Sequence, residues 1–204
     1  MKNVLLSTGL IALLISGSAM ADTNGLYISA GAGTFDFDAE TRSSFEPSFS
    51  VSQNSTYDTE GNTFRITGGY QLTDMVALEA TYNSYGTVKY SDGRGDIMSP
   101  TAMTLNANLG YSLSSGIRPF IVAGLGRITL NQKEQRISSE ESGGSFHWGL
   151  GLEYAPAAIE NVSFKAAYES DTATLVYLSP FAKSETDLTY SSFYLGLSYK
   201  LAGL

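Results

Sequence analysis

The chain lacks cysteine, contains one histidine, and has no long apolar run after its first 21 residues. The absence of cysteine excludes disulfide bonds and thiol chemistry. No stretch beyond that point approaches the roughly 20 apolar residues of a membrane helix. No run has the spacing of a metal site or a phosphate-binding loop. Because 12 basic residues face 20 acidic ones, a nucleic-acid partner is not expected. We therefore expect neither a metal nor another cofactor.

The N-terminus has the features of a secretory signal peptide. Lys2 precedes an apolar run over residues 4–15, and Ala19-Met20-Ala21 has the small residues of a cleavage site. The run is too short to span a bilayer comfortably. We expect residues 1–21 to be the signal peptide and residues 22–204 to form a single domain.

What the chain does contain is a period of two that recurs along its length. Four stretches place an apolar residue at every second position and end at a tyrosine, namely Tyr70, Tyr111, Tyr154 and Tyr199. The intervening positions are mostly glycine, polar or charged. Such strands have one apolar and one polar face, yet no helix-period segment is available to cover the apolar faces. Lipid is then the expected solvent, and a closed antiparallel barrel is the expected fold.

The pattern predicts eight strands, near residues 25–37, 62–72, 75–85, 101–112, 116–128, 145–155, 161–171 and 190–202. Their connections alternate between long polar loops and short turns, as in outer-membrane barrels. The predicted fold class is an all-β, eight-stranded antiparallel up-and-down transmembrane β-barrel. The alternative is a soluble lipocalin-like barrel with its apolar face inside.

Aromatic residues on the apolar face fall at both ends of the predicted strands. These would form two belts at the lipid headgroups, of which the periplasmic one contains Tyr70, Tyr111, Tyr154 and Tyr199, and the outer one contains Tyr82, Trp148, Tyr168 and Phe193.

Charged and amide residues occupy inward positions of the predicted barrel. The candidate lumen network consists of Arg65, Glu79, Asn108, Glu153 and Lys165. An eight-stranded barrel is narrow enough for side chains to fill it, and an unpaired charge inside the membrane is costly. We expect Lys165 to bridge Glu79 and Glu153. The alternative is a hydrated lumen with loosely paired charges.

The chain resembles the OmpA-type transmembrane domain and its small OmpX-like relatives. The segments that carry the resemblance are GGYQLTDMVALEATY, LNANLGYSL, LGLEYAPAAIENVSFKAAYES and SFYLGLSYKL. The resemblance implies a bacterial outer-membrane location and a lumen network of two glutamates and two basic residues. Glu79, Glu153 and Lys165 match that network, whereas Asn108 stands where the family has a lysine. Arg65 could supply the missing charge.

The predicted outer loops contain three candidate interaction segments. Residues 38–61 could extend strands one and two as a protruding ribbon or form a polar loop. Arg94, Gly95 and Asp96 form a tripeptide found in integrin ligands, but three common residues are a weak signal, and a glycine-rich turn is the favoured interpretation. A third segment is apolar and contains Leu175, Val176, Tyr177, Leu178 and Phe181. It would be an exposed interaction patch or a continuation of strand seven.

Three function classes follow from this reading. A structural or surface-interaction scaffold of the adhesion or colonisation type is favoured, with a small, mostly closed pore as the alternative. A lipid-modifying enzyme would need His147 with Glu169 and Ser145, and we do not expect catalysis. The expected partners are outer-membrane lipid and lipopolysaccharide, the barrel-assembly machinery during biogenesis, and a host-cell surface protein. The expected state is a monomer.

Overall fold

The computed structural model describes residues 25–45, 49–54, 57–91, 95–133, 141–179 and 182–201. They form thirteen strands: β1 (Gly25–Gly33), β2 (Asp36–Phe45), β3 (Phe49–Asn54), β4 (Tyr57–Glu60), β5 (Thr63–Gln71), β6 (Val76–Ser84), β7 (Thr87–Tyr90), β8 (Asp96–Met98), β9 (Thr101–Gly110), β10 (Ile117–Thr129), β11 (Ser142–Tyr154), β12 (Val162–Ser179) and β13 (Ala182–Lys200). Within these ranges, no helix has the length and apolar character to cross a bilayer. The expected signal peptide lies outside the described residues.

Eight of these strands close into a barrel. The order is β1-β5-β6-β9-β10-β11-β12-β13, and β13 pairs with β1 to complete the circle. Every pairing is antiparallel. Closure pairs the wall strands on both sides, as a lipid-exposed sheet requires. The predicted eight-stranded antiparallel barrel is confirmed.

The register fixes the tilt of the strands. Following paired residues once around the wall from Leu26 leads to Asp36, a displacement of ten residues along the chain. A shear of ten in eight strands corresponds to a tilt of about 40°. The interior of such a barrel is filled by side chains rather than left as a wide channel.

The two faces of the wall follow the period of two in the sequence. Leu150 and Leu195 on the outward face are 56% and 63% exposed, while Thr81, Asn106 and Lys165 on the inward face are buried. All eight belt aromatics point outward and are at least 40% exposed. Trp148 and Tyr168 of the outer belt meet edge to face, with ring centroids 6.1 Å apart. The polar side of the barrel is therefore inside.

The first predicted strand, residues 25–37, is interrupted where the structure places a change of partner. β1 pairs with β5 as far as Gly33 and Thr63, and Thr34 and Phe35 then separate it from β2. A Cβ at Gly33 would lie 2.3 Å from the carbonyl oxygen of Phe193, so the close approach requires glycine. Above the break β2 pairs with β13 and with β3. Strand one thus extends outward as the ribbon prediction expected, but its partners are β13 and β3 rather than an extension of strand two, because β4 pairs with β7 instead.

Strands seven and eight are longer than predicted. β12 continues to Ser179 and β13 begins at Ala182, so the backbone of residues 175–178 is part of a paired strand. The alternative that the apolar segment continues strand seven is therefore the one that the structure shows. Continued pairing with β13, and through it with β2, keeps the segment extended.

A small separate sheet lies over the outer mouth of the barrel. The lid sheet consists of β4, β7 and β8, which are joined to β5, β6 and β9 by breaks of two residues. Its inner side packs on the inward faces of β2, β12 and β13. The resulting outer core contains Phe35, Phe37, Ala39, Tyr85, Val88, Ile97, Met98, Ala102, Ile128, Leu130, Ala173, Leu188 and Tyr190. The interior is thus mostly polar within the wall, apart from a small cluster of Phe120, Ala167 and Tyr194, and apolar above it.

We expect Leu150→Arg to destabilise the barrel by about 2–4 kcal/mol, because it places a charge near the middle of the lipid-facing band. Leu150 lies between Trp148 and Tyr154 on β11 and is 56% exposed. Urea-induced unfolding in phospholipid vesicles measures the change. Ile159→Arg is the control, since Ile159 is 47% exposed in the following short turn. Equal stability of the two variants would contradict a lipid-facing Leu150.

Candidate functional site

The upper half of the lumen is crossed by a buried charge cluster. We call this the upper cluster; its members are Arg65, Asn83, His147, Glu169 and Asp171. Arg65 forms an ion pair with Glu169 and donates from Nε to Asn83 Oδ1 at 2.8 Å. All five residues are at most 7% exposed. They come from four different strands, so the cluster ties opposite parts of the wall together.

His147 occupies the centre of the upper cluster. Its Nε2 lies 2.8 Å from Glu169 Oε2 and its Nδ1 lies 3.0 Å from Asp171 Oδ1. The imidazole therefore bridges the two carboxylates of β12. His147 is fully buried, because it occupies a position of β11 that faces the lumen. Both ring nitrogens are engaged within the protein.

Hydrogen bonds connect the upper cluster to the aromatic rings above and beside it. Tyr85 donates its hydroxyl to Asp171, and its ring packs against Tyr190 of the outer core with centroids 5.5 Å apart. Tyr194 donates to Glu169 at 2.8 Å, and Arg65 lies 4.6 Å from the centre of its ring. The polar upper cluster and the apolar outer core are therefore in direct contact.

A second group, the lower cluster, lies nearer the short turns and consists of Tyr27, Glu79, Asn108 and Lys165. Three donors converge on Glu79 Oε1: Tyr27 at 2.5 Å, Asn108 at 3.1 Å and Lys165 at 3.3 Å. The Tyr27 ring crosses Gly69 to reach Glu79, and a Cβ at Gly69 would lie 2.1 Å from that ring. Lys165 Nζ also lies 5.0 Å from the centre of the Tyr27 ring.

Lys165 was expected to bridge Glu79 and Glu153, and the expectation is wrong for Glu153. Glu153 instead lies 3.4 Å from Arg118 Nη1 and accepts a hydrogen bond from Ser163. Arg118 is inward on the neighbouring strand β10, paired in register with Glu153. Lys165 is also paired in register with Glu153, on β12, but its Nζ donates to Glu79, so Arg118 is the cation beside Glu153.

The suggestion that Arg65 supplies the missing charge beside Glu79 is also corrected. Arg65 pairs with Glu169 in the upper cluster, and Asn108 donates to Glu79 in its place. The amide of Asn108 supplies a neutral donor, and Lys165 supplies the positive charge beside Glu79.

Below the lower cluster the lumen widens into a cavity of about 500 Å³ at the short-turn end. Tyr27, Arg118 and Glu153 form its inner wall, and residues of the short turns form its rim. The two clusters and the outer core lie above this cavity, so the cavity is closed at its inner end.

The loop candidates are placed as follows. Arg94 and Phe181 lie outside the described residues. Gly95 has a left-handed φ of 111°, and Asp96 accepts from Lys133 Nζ at 2.6 Å, with Lys89 3.7 Å away. The hydrogen bond from Lys133 holds the pKa of Asp96 below its usual range. Leu175, Val176, Tyr177 and Leu178 belong to β12, and their side chains are not among those described.

The lipid-enzyme arrangement is not assembled around His147. Ser145 Oγ is buried and has no hydrogen-bond partner in the described part of the chain. A nucleophile in a triad needs that bond to its base. Within the same ranges, no group of three acidic or histidine side chains could hold a metal ion.

Several members of the clusters were not singled out by sequence reasoning. Asn83, Asp171 and Tyr85 complete the upper cluster, and Tyr27 completes the lower one. Asn83 and Asp171 occupy inward positions by the same period of two, which could have identified them. Tyr85 follows the end of β6, where that period no longer applies.

We expect Arg65→Met to lower the free energy of unfolding by about 3–5 kcal/mol, because it leaves Glu169 buried without its guanidinium. The double variant with Glu169→Gln should recover part of that loss, which a double-mutant cycle isolates. Urea titration in vesicles measures both. Lys133→Met is the control, since its ion pair with Asp96 is exposed and should contribute little. Additive effects of the two lumen changes would contradict the pairing.

Comparison with known proteins agrees with the barrel fold. None of the curated proteins is significantly similar to the chain in sequence. Among solved structures, neisserial surface protein A has a TM-score of 0.59 and 18% identity, covering 88% of this chain and 100% of that one. OprG of Pseudomonas aeruginosa has a TM-score of 0.47 and 14% identity, covering 87% and 97%. The likeness to neisserial surface protein A, at 18% identity, shows the fold alone.

The sequence itself matches a family model over nearly its whole length. The model describes the outer membrane protein beta-barrel domain, and the match covers residues 7–200. This range includes every strand of the barrel wall. The chain therefore belongs to the outer membrane protein beta-barrel family and is a bacterial outer-membrane protein.

Proposed function

We propose that this protein is a closed barrel that displays an extracellular surface for attachment to a partner, of the adhesion or colonisation type. Beyond the outer belt, β12 and β13 continue as a paired hairpin that we call the ribbon. The length of this ribbon is the observation that carries the proposal. From Tyr168 of the outer belt to Ser179 the strand runs eleven residues, about 36 Å. Surface function is typically located on segments that a rigid scaffold positions.

The rigid support of this ribbon favours display over passage through the lumen. β2 and β3 continue the sheet beside β13, and the outer core fills the space between this sheet and the lid sheet. A polypeptide that only needed to span the membrane would not require this extracellular structure. The ribbon tip, residues 175–185, contains the apolar candidates Leu175, Val176, Tyr177, Leu178 and Phe181, which we propose as the contact segment.

The lid sheet supplies a second candidate segment, Arg94-Gly95-Asp96. The ion pairs of Asp96 weaken this candidate, because a receptor would have to displace Lys133 from the carboxylate. We therefore rank the ribbon tip ahead of it.

The test is adhesion of a non-adherent bacterium that displays the protein to cultured host cells. We expect adhesion with the intact chain and at least a tenfold loss when residues 175–185 are replaced by a short Gly-Ser turn. A matched replacement of residues 134–140 in the third loop should retain adhesion. Surface labelling must show equal display of all variants. Adhesion that is absent with the intact chain, or unaffected by the ribbon replacement, would contradict the proposal.

Conductance in planar bilayers separates display from the pore alternative. We expect no sustained channel current from the intact protein, because the upper cluster and the outer core both close the lumen. Glu79→Ala and Lys165→Ala should leave the current at baseline, since neither change opens the outer core. Steady current that rises with either substitution would instead favour a pore.

A further inference from the structure

We propose that Arg127 and the hydroxyl groups beside it bind the phosphorylated headgroup of an outer-leaflet lipid, namely lipopolysaccharide. Arg127 lies on β10 and points away from the lumen. On the outward faces of β6, β9, β10 and β11, from the short turns up to Arg127, it is the one charged residue among those described. The inference rests on the outer-membrane location and is independent of the adhesion proposal.

The position of Arg127 follows from the register. The Arg127 row contains Tyr82, Met103, Arg127 and Gly144, which are paired across β6, β9, β10 and β11. Because the strands tilt by about 40°, a row climbs toward the cell exterior from β6 to β11. Two strand spacings of about 4.8 Å place Arg127 about 6 Å outside Tyr82. That depth is just beyond the outer aromatic belt, where the lipid headgroups begin.

The rows on either side mark a sharp change in polarity. Toward the membrane, the next outward row contains Ala80, Leu105, Leu125 and Phe146, and its three larger side chains are 49–72% exposed. Toward the exterior, the next row contains Ser84, Thr101, Thr129 and Ser142. We call this the hydroxyl row. It presents four hydrogen-bonding groups on adjacent strands directly above an apolar surface.

The guanidinium has capacity for an anionic ligand. Its Nε donates to Ser142 Oγ at 3.1 Å, and Nη2 donates to the same oxygen. Arg127 forms no ion pair with any carboxylate among the described residues. Gly144, its neighbour in the row, has no side chain, and a Cβ there would meet nothing within 4 Å. The surface beside the guanidinium is therefore open.

This chemistry fits a phosphate on a sugar that carries acyl chains. Arginine binds phosphate through two parallel hydrogen bonds, and the hydroxyl row offers groups for sugar hydroxyls. The acyl chains would then lie along Leu105 and Leu125 below. A free phosphate ion would use only the guanidinium, which explains why we assign the site to a lipid.

Binding of purified lipid A to the detergent-solubilised full chain, measured by native mass spectrometry, tests the inference. We expect the protein to bind bisphosphorylated lipid A about tenfold more tightly than dephosphorylated lipid A. Arg127→Gln should lower affinity for the bisphosphorylated form about tenfold and abolish the preference. Arg127→Lys should retain part of it, because lysine keeps the charge without the planar pair of donors. Lys133→Gln removes the same charge on the same side of the membrane and should change nothing.

Three results would overturn the assignment. One is equal binding of both lipid forms to the unaltered chain, a comparison that needs no folded variant. Another is unchanged affinity in Arg127→Gln. The last is displacement of lipid A by millimolar inorganic phosphate to the level of the dephosphorylated lipid, which would make the site one for the free ion.

Discussion

The structure depends on one constraint, which is that every backbone amide and carbonyl of a wall exposed to lipid must be paired within the protein. Closure of eight strands with a shear of ten satisfies it, and this geometry also sets the width of the lumen. The narrow lumen in turn brings inward side chains from opposite strands into contact. Arg65 of β5 thereby reaches Glu169 of β12, although 104 residues separate them in the chain. The buried charges are a consequence of closure as much as of sequence.

The barrel changes character along its axis. Within the wall the interior is polar and the exterior apolar, whereas above the outer belt β2, β12 and β13 turn an apolar face inward against the lid sheet. Tyr85 connects the polar lumen with the apolar outer core, since its hydroxyl donates to Asp171 and its ring packs on Tyr190. The extracellular part therefore has the organisation of a water-soluble β domain that is continuous with a membrane barrel. Such a construction holds surface segments in a fixed geometry.

Most of the wall could be predicted from the period of two, because lipid and lumen impose opposite polarity on successive residues. The period fails where that contrast ends. Above residue 171 the environment of β12 is water outside and protein inside, and the signal for a strand becomes ambiguous. The break at Thr34 and Phe35 was missed for a related reason: it arises from a change of pairing partner, which leaves the alternation intact. Inward polar residues were identified, but only some of their partners: Lys165 lies beside Glu79 as expected, whereas Glu153 forms its ion pair with Arg118.

The sequence by itself determined the strand number, the outward and inward faces, the aromatic belts and the class of protein, because each depends on local alternation and on turn lengths. Only the tertiary structure decided which charges pair, that the outer mouth is filled by an apolar core, and that Arg127 lies between an apolar lipid-facing row and the hydroxyl row. These features depend on the register between strands and on the curvature of the closed wall. Register is a relation between distant segments, and no window of the chain contains it.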